Sequence, residues 1–137
     1  MKEASEGIKS FFSANSTHAF YTGIGGRLYF RRAPQKVTFP YVVFFMVTGS
    51  PDYYFDGSPT LQSLSYQFSV FTKGGSAEDA ETISKNLMAL FDAAAITVTG
   101  WTVTSWKRVL DAPSPPDEVD GIVVYQNNFQ YDMLLSK

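Results

Sequence analysis

The 137-residue chain has no cysteine, a single histidine and two tryptophans. Without cysteine there is no disulfide, no thiolate metal site and no cysteine nucleophile. With His18 as the only histidine, a serine nucleophile has one candidate base, and no Gly-x-Ser-x-Gly elbow accompanies it. A lone histidine beside Ala19, Phe20 and Tyr21 reads as a packed or capping residue. Long apolar runs are missing too, since the longest, Tyr41 to Val47, is far short of the ~20 residues of a membrane helix. The opening Met1-Lys-Glu-Ala-Ser-Glu6 carries both charge signs and leads into no apolar stretch, so no signal peptide is expected. A net charge of -2 provides no general attraction to nucleic acid. These absences point to one soluble domain spanning 1–137, used where it is synthesised.

Other chemistry lacks parts as well. Thr22-Gly-Ile-Gly-Gly-Arg27 fails as a dinucleotide-binding loop, which would need glycine where Leu28 stands. Asp52 and Asp56 lie in an aromatic turn, where aspartate serves as a turn former. Asp117, Glu118 and Asp120 sit beside Pro115-Pro116 without the glycine placement or distal Glu of a calcium loop. No catalysis, cofactor or metal is expected.

Aromatic side chains, by contrast, abound: twelve Phe and eight Tyr join the two Trp. Such residues are enriched at the buried centres of interfaces, so self-association is expected. The organising stretch is Arg31 to Gly57. Pro34 and Pro40 mark an irregular approach, Tyr41 to Val47 reads as a central strand apolar on both faces, and Gly49-Ser50-Pro51 reads as its end. One face would be covered by helices; the other would need a partner.

The remaining elements follow from periodicity. Ala4, Ile8, Phe11 and Phe12 form one stripe of a helix from Glu3 to about Ala14, weakened by Gly7 and ended by Asn15-Ser16-Thr17. A short strand is expected over Arg27–Phe30. Leu64, Tyr66, Phe68 and Val70 alternate with polar residues over Leu61–Thr72, joined to the central strand by a long Gly49–Thr60 loop. A capping start at Ser76 opens a second helix to about Ala94, with Ala80, Ile83, Leu87, Leu90 and Phe91 on one stripe and Glu81 four residues before Lys85. Trp101–Leu110, with no clean apolar face, reads as an outer strand. Asp111–Gly121 reads as a mobile Pro-rich acidic loop, and Val123–Met133 as a long amphipathic strand. The fold class is therefore α+β: a mainly antiparallel mixed sheet of about five strands with two helices on one face.

Charge placement is uneven. Arg27, Arg31, Arg32 and Lys36 form a segment without an acid, while Asp111, Asp117, Glu118 and Asp120 form one without a base. The two can be solvated loops, can pair within one subunit, or can join neighbouring subunits in a heterologous contact that closes into a ring.

The order Gly26-Arg27-Leu28-Tyr29, Ala33-Pro34-Gln35, Phe39-Pro40-Tyr41-Val42-Val43-Phe44, Gly49-Ser50-Pro51-Asp52-Tyr53 and Asp56-Gly57 resembles the tail terminator, or tail completion, proteins of long-tailed bacteriophages. The likeness continues through the Ala-Glu-Asp-Ala-Glu helix to the strand opening at Gly121, and so spans nearly the whole chain. The Pro-rich Ala112–Asp120 loop departs from the shorter family pattern. The resemblance implies a non-enzymatic virion protein forming a homo-oligomeric ring, commonly a hexamer, at the head-proximal end of a siphovirus-like tail tube. Such a ring would stop polymerisation of the tail tube protein and meet the head-tail connector. DNA would pass its lumen without specific binding, with assembly in the host cytoplasm and no membrane involved. The residues expected at a subunit or tube interface are Arg31, Arg32, Lys36, Phe39, Tyr41, Asp52, Tyr53, Tyr54, Phe55, Asp117, Glu118 and Asp120. A connector or tube component, or a monomeric module with aromatics around a small-ligand pocket, are the alternatives.

Overall fold

The structure is a computed structural model describing residues 1–53, 59–74 and 77–137. In chain order the elements are α1 (Lys2–Ala14), α2 (Ala19–Gly23), β1 (Leu28–Phe30), β2 (Tyr41–Tyr53), β3 (Pro59–Lys73), α3 (Ala77–Phe91), β4 (Thr102–Pro113), β5 (Asp117–Val119) and β6 (Ile122–Ser136). The strands form one mixed sheet in the order β1-β2-β3-β6-β4, with β5 beside β6. Only the β1–β2 pair is parallel; the others are antiparallel. The α+β class holds, with more strand than helix.

Alternation builds the core. Phe44, Phe68 and Phe129 lie in register across β2, β3 and β6, and so do Met46, Tyr66 and Tyr131. Side chains of alternate residues share a sheet face. This face meets Ala4, Ile8 and Phe12 of α1, Phe20 of α2, and Ile83, Leu87 and Phe91 of α3 in one hydrophobic cluster. Two phenols inside it are paired: Tyr131 donates to Asp92 at 2.6 Å, and Ser5 and Tyr66 share a 2.9 Å hydrogen bond. Gly7 lets α1 lie against the 96–97 segment, because a Cβ there would stand 2.3 Å from the Thr97 carbonyl oxygen.

Several expectations need correction. The Tyr41 strand is not central; β3 is, and β2 lies one strand from the edge. Gly49-Ser50-Pro51 does not end it, since β2 continues paired to Tyr53. β1 accompanies β2 only from Val42 to Phe44, so a residue without an N–H is tolerated beyond that point. The described residues of the Gly49–Thr60 segment, 49–53 and 59–60, are therefore strand. A short helix, α2, follows Asn15-Ser16-Thr17; His18 caps it, its Nδ1 accepting from the Phe20 N–H at 3.0 Å. The Ser76 start of α3 lies outside the described residues, and Glu81–Lys85 is not among the ion pairs of the described residues.

The largest correction concerns Asp111–Gly121. It is no free loop: β4 runs to Pro113, Ser114 donates its N–H to the Gln126 carbonyl at 2.8 Å, and β5 pairs again with β6. Pro113 ends β4, and Pro115 and Pro116 fall between β4 and β5, all on the outer side of β6, where missing donors interrupt no inner ladder. Asp120 and Gly121, at φ 51° and 78°, turn the chain in a two-residue hairpin. Paired positive φ values match the twist of antiparallel strands.

Candidate functional site

The face opposite the helices is open and differs from the apolar plane expected of it. On β3 and β6 it carries Ser65, Gln67, Ser69, Gln126, Asn128 and Asp132. Asn128 is the hub, accepting from Ser69 at 2.8 Å, Gln126 at 2.8 Å and Gln67 at 3.3 Å. It donates to the Ala112 carbonyl at 3.1 Å and to Ser114 at 2.9 Å, tying β3, β6 and the end of β4 together. Ser65 donates to Asp132 at 2.6 Å. A satisfied amide and hydroxyl network is stable in water and needs no lid.

Apolar surface on this face lies at its two flanks: Tyr41, Phe45 and Phe71 on the β2 side, and Leu110, which pairs with Gln130 and is exposed, on the β4 side. Tyr41 stacks on Phe71 at 4.9 Å and meets Phe39 edge-on at 5.0 Å. The Lys73 ammonium lies 5.3 Å from the Phe39 ring centre. Burial raises the Tyr41 phenol above its ordinary pKa. Arg31, Arg32 and Ala33 rim a concavity of about 290 Å³ floored by Tyr41, Val43, Phe45 and Phe71. Val43 is thereby left only 8 % exposed. Of the seven-residue apolar run, Val47 alone is exposed.

The sequence-read charges divide between the two ends of the sheet order. Arg31, Arg32 and Lys36 are exposed in the loop between β1 and β2, and Arg27 donates through Nε to the Pro40 carbonyl at 2.9 Å. Asp117, Glu118 and Asp120 are exposed at the β5–β6 tip. No ion pair among the described residues joins the two groups; Asp111 instead lies 3.7 Å from Arg108 on its own strand. Among the described residues, the non-glycine residues with positive φ are Arg31, Lys36 and Asp120, each in one of these two segments. Such conformations cost energy and are kept where shape matters. The structure thus gathers Arg31, Arg32 and Tyr41 around one concavity, with Phe39 against Tyr41, and sets the acids apart from them. Asp52 and Tyr53 end the β2 ladder, their side chains not being described; Tyr54 and Phe55 lie outside the described residues.

Residue patterns did not reveal the exposed large apolar side chains among the described residues: Phe30, Val47, Val109, Leu110, Val119 and Ile122. All six lie on edge or tip segments, Phe30 and Val47 at the β1–β2 side and the others on β4 or the β5–β6 hairpin. Val47 is the extra residue of a bulge, unmatched between Met46 and Thr48. The one available signal was Val109-Leu110, two adjacent apolar residues that break the alternation of a half-polar strand.

A family model described as tail completion protein gp17 matches residues 15–119. The chain belongs to that family. It is a structural protein of phage tails. The matched span of this tail completion protein runs from the end of α1 through the basic loop to the last residue of β5. Its fold is similar to a chain in the virion of a native gene transfer agent particle, with a TM-score of 0.71 and 10% identity over 98% of each chain. A second solved structure aligns with a TM-score of 0.53 and 15% identity over 94% of each chain. No curated protein sequence matches.

Proposed function

We propose that residues 1–137 act as one subunit of a closed ring, a hexamer, at the head-proximal end of the tail tube. The ring stops polymerisation of the tail tube protein and presents the surface on which the head-tail connector joins. The observation carrying this reading is that the exposed large apolar residues among those described lie on edge and tip segments at the two sides of the sheet rather than on its central strands. Two unlike edges on one subunit are what a heterologous, head-to-tail contact requires, and such contacts close into rings when the rotation permits. The basic loop lies on one of these sides and the acidic hairpin on the other, so the contact is also matched in charge.

Fold and family support the same placement. A chain of similar fold belongs to the gene transfer agent virion. The open face, rich in neutral amides and hydroxyls, suits a lumen that DNA crosses without being held, since phosphate capture needs positive charge. Assembly takes place in the host cytoplasm and the finished ring stays in the virion.

Charge reversal tests the reading. Arg31→Glu with Arg32→Glu is expected to abolish rings in native mass spectrometry and to lengthen tubes grown from the tail tube protein. Adding Asp117→Lys with Glu118→Lys is expected to restore both. Rings and tube lengths indifferent to the first pair would overturn the charged contact. A wild-type protein that forms rings yet leaves tube length unchanged would be a connector rather than a terminator.

A further inference from the structure

Between the first half of α1 and the β1–β2 edge lies a groove of about 480 Å³. Its apolar wall is Phe30, Phe44 and Met46, with Phe30 left 41 % exposed. Its rim carries Lys2, Lys9 and Arg31 against one acid, Glu6, which gives +3 − 1 = +2. Lys9 is anchored there by donating to the Leu28 carbonyl, and the Arg31 guanidinium lies 5.2 Å from the Phe30 ring centre. Beyond Phe44 the β1 strand no longer accompanies β2, so the sheet edge behind this groove is open.

The β5–β6 tip has the complementary chemistry. Val119 and Ile122 pair directly across the turn and are 52 % and 43 % exposed, and Asp117, Glu118 and Asp120 flank them with no base. The tip projects past the inner sheet, because β3 ends at Lys73 opposite Val124. A two-residue turn in a continued ladder holds it in shape, so docking costs little ordering entropy. Resting on the ring reading above, we infer that the β5–β6 tip of one subunit seats Val119 and Ile122 in the α1/β1–β2 groove of the next copy, its carboxylates facing Lys2, Lys9 and Arg31. The basic loop is then one rim of a larger receptor whose apolar wall does the anchoring.

The natural absence of cysteine makes the test clean. In rings assembled on tail tubes, Phe30→Cys combined with Val119→Cys is treated with a short bismaleimide. The expected result is a ladder of covalent oligomers ending at the closed ring, with no ladder from either single variant or from Thr104→Cys with Phe30→Cys. Val119→Ser with Ile122→Ser, which keeps every charge, is expected to weaken association roughly tenfold. Rings and tube stopping that persist with no ladder would overturn this contact while leaving the ring intact. A wild-type protein that forms no rings and stops no tubes would overturn the ring reading, and this contact with it.

Discussion

A methyl group on Gly7 would lie 2.3 Å from the Thr97 carbonyl oxygen, a backbone atom that cannot swing away. Helix propensity alone favours alanine over glycine by about 1 kcal/mol in a helix interior. The close approach reverses the sign: Gly7→Ala is expected to destabilise the fold by about 1–3 kcal/mol, the usual cost of overpacking. Urea titration measures this, and a raised midpoint would show that α1 can shift freely. Tyr131 provides the second residue-scale case. Its phenol is raised well above the ordinary 10.0 first by burial and then by its hydrogen bond to Asp92. A raised folded-state pKa means that its stabilising share is fully present below pH 10.0 and is lost as pH climbs from there toward the folded value. Tyr66, also raised by burial, acts in the same direction. Lys9, lowered by burial from 10.5, acts in the opposite direction just below that value, and a single partly buried lysine is outweighed by the three raised tyrosines, Tyr41, Tyr66 and Tyr131. Thermal melts from about pH 8 to about pH 11 should show the melting temperature falling above pH 10. Tyr131→Phe should start lower by about 1 kcal/mol, from the lost hydrogen bond, and then fall less steeply. Equal slopes would mean that another group drives the alkaline loss.

At the scale of elements, the parts legible in the sequence were those that bury one face. The α1 and α3 stripes and the alternations of β3 and β6 were read from periodicity, because burying that face is what sets their period. Two segments were misread for the opposite reason. Gly49-Ser50-Pro51 looks like a stop only where a strand must donate on both sides, and beyond Phe44 β2 is paired on its β3 side alone. The Pro-rich acidic stretch looks like a loop, yet backbone pairing with β6 and the reach of Asn128 to Ala112 and Ser114 hold it as a hairpin arm. No local pattern announces a hub built from Gln67, Ser69, Gln126 and Asn128, which come from two strands. Asn128→Ala should cost about 1–3 kcal/mol by orphaning these partners. Hydrogen exchange should localise the damage: protection at the Ser114 amide, which donates to Gln126, should fall while the middle of β3 stays protected. A uniform loss of protection would show that the hub supports the whole sheet rather than its arm.

For the whole molecule, the placement of apolar surface decides how copies meet. The basic and acidic segments were visible as charge runs, but the expectation of a bare apolar face was not met. The Arg31–Ala33 loop borders the floor containing Val43, and the middle of the open face on β3 and β6 is polar. Among the described residues, the large apolar side chains that remain exposed are on edge and tip segments, where unpaired strands invite association. A contact with both charged and apolar parts has a kinetic signature of its own. Opposite charges speed encounter, and salt screens them beyond a Debye length of about 10 Å at 0.1 M and about 3 Å at 1 M. Apolar burial is not screened, so it holds the formed contact against dissociation. Raising salt from about 0.1 M to about 1 M should therefore slow ring assembly by about tenfold or more while the dissociation rate of formed rings changes by no more than about threefold. Stopped-flow fluorescence on subunits labelled at Thr104→Cys gives both rates. Should dissociation accelerate as steeply as association slows, the carboxylates and arginines alone would be holding the ring, and Val119 and Ile122 would have no part in it.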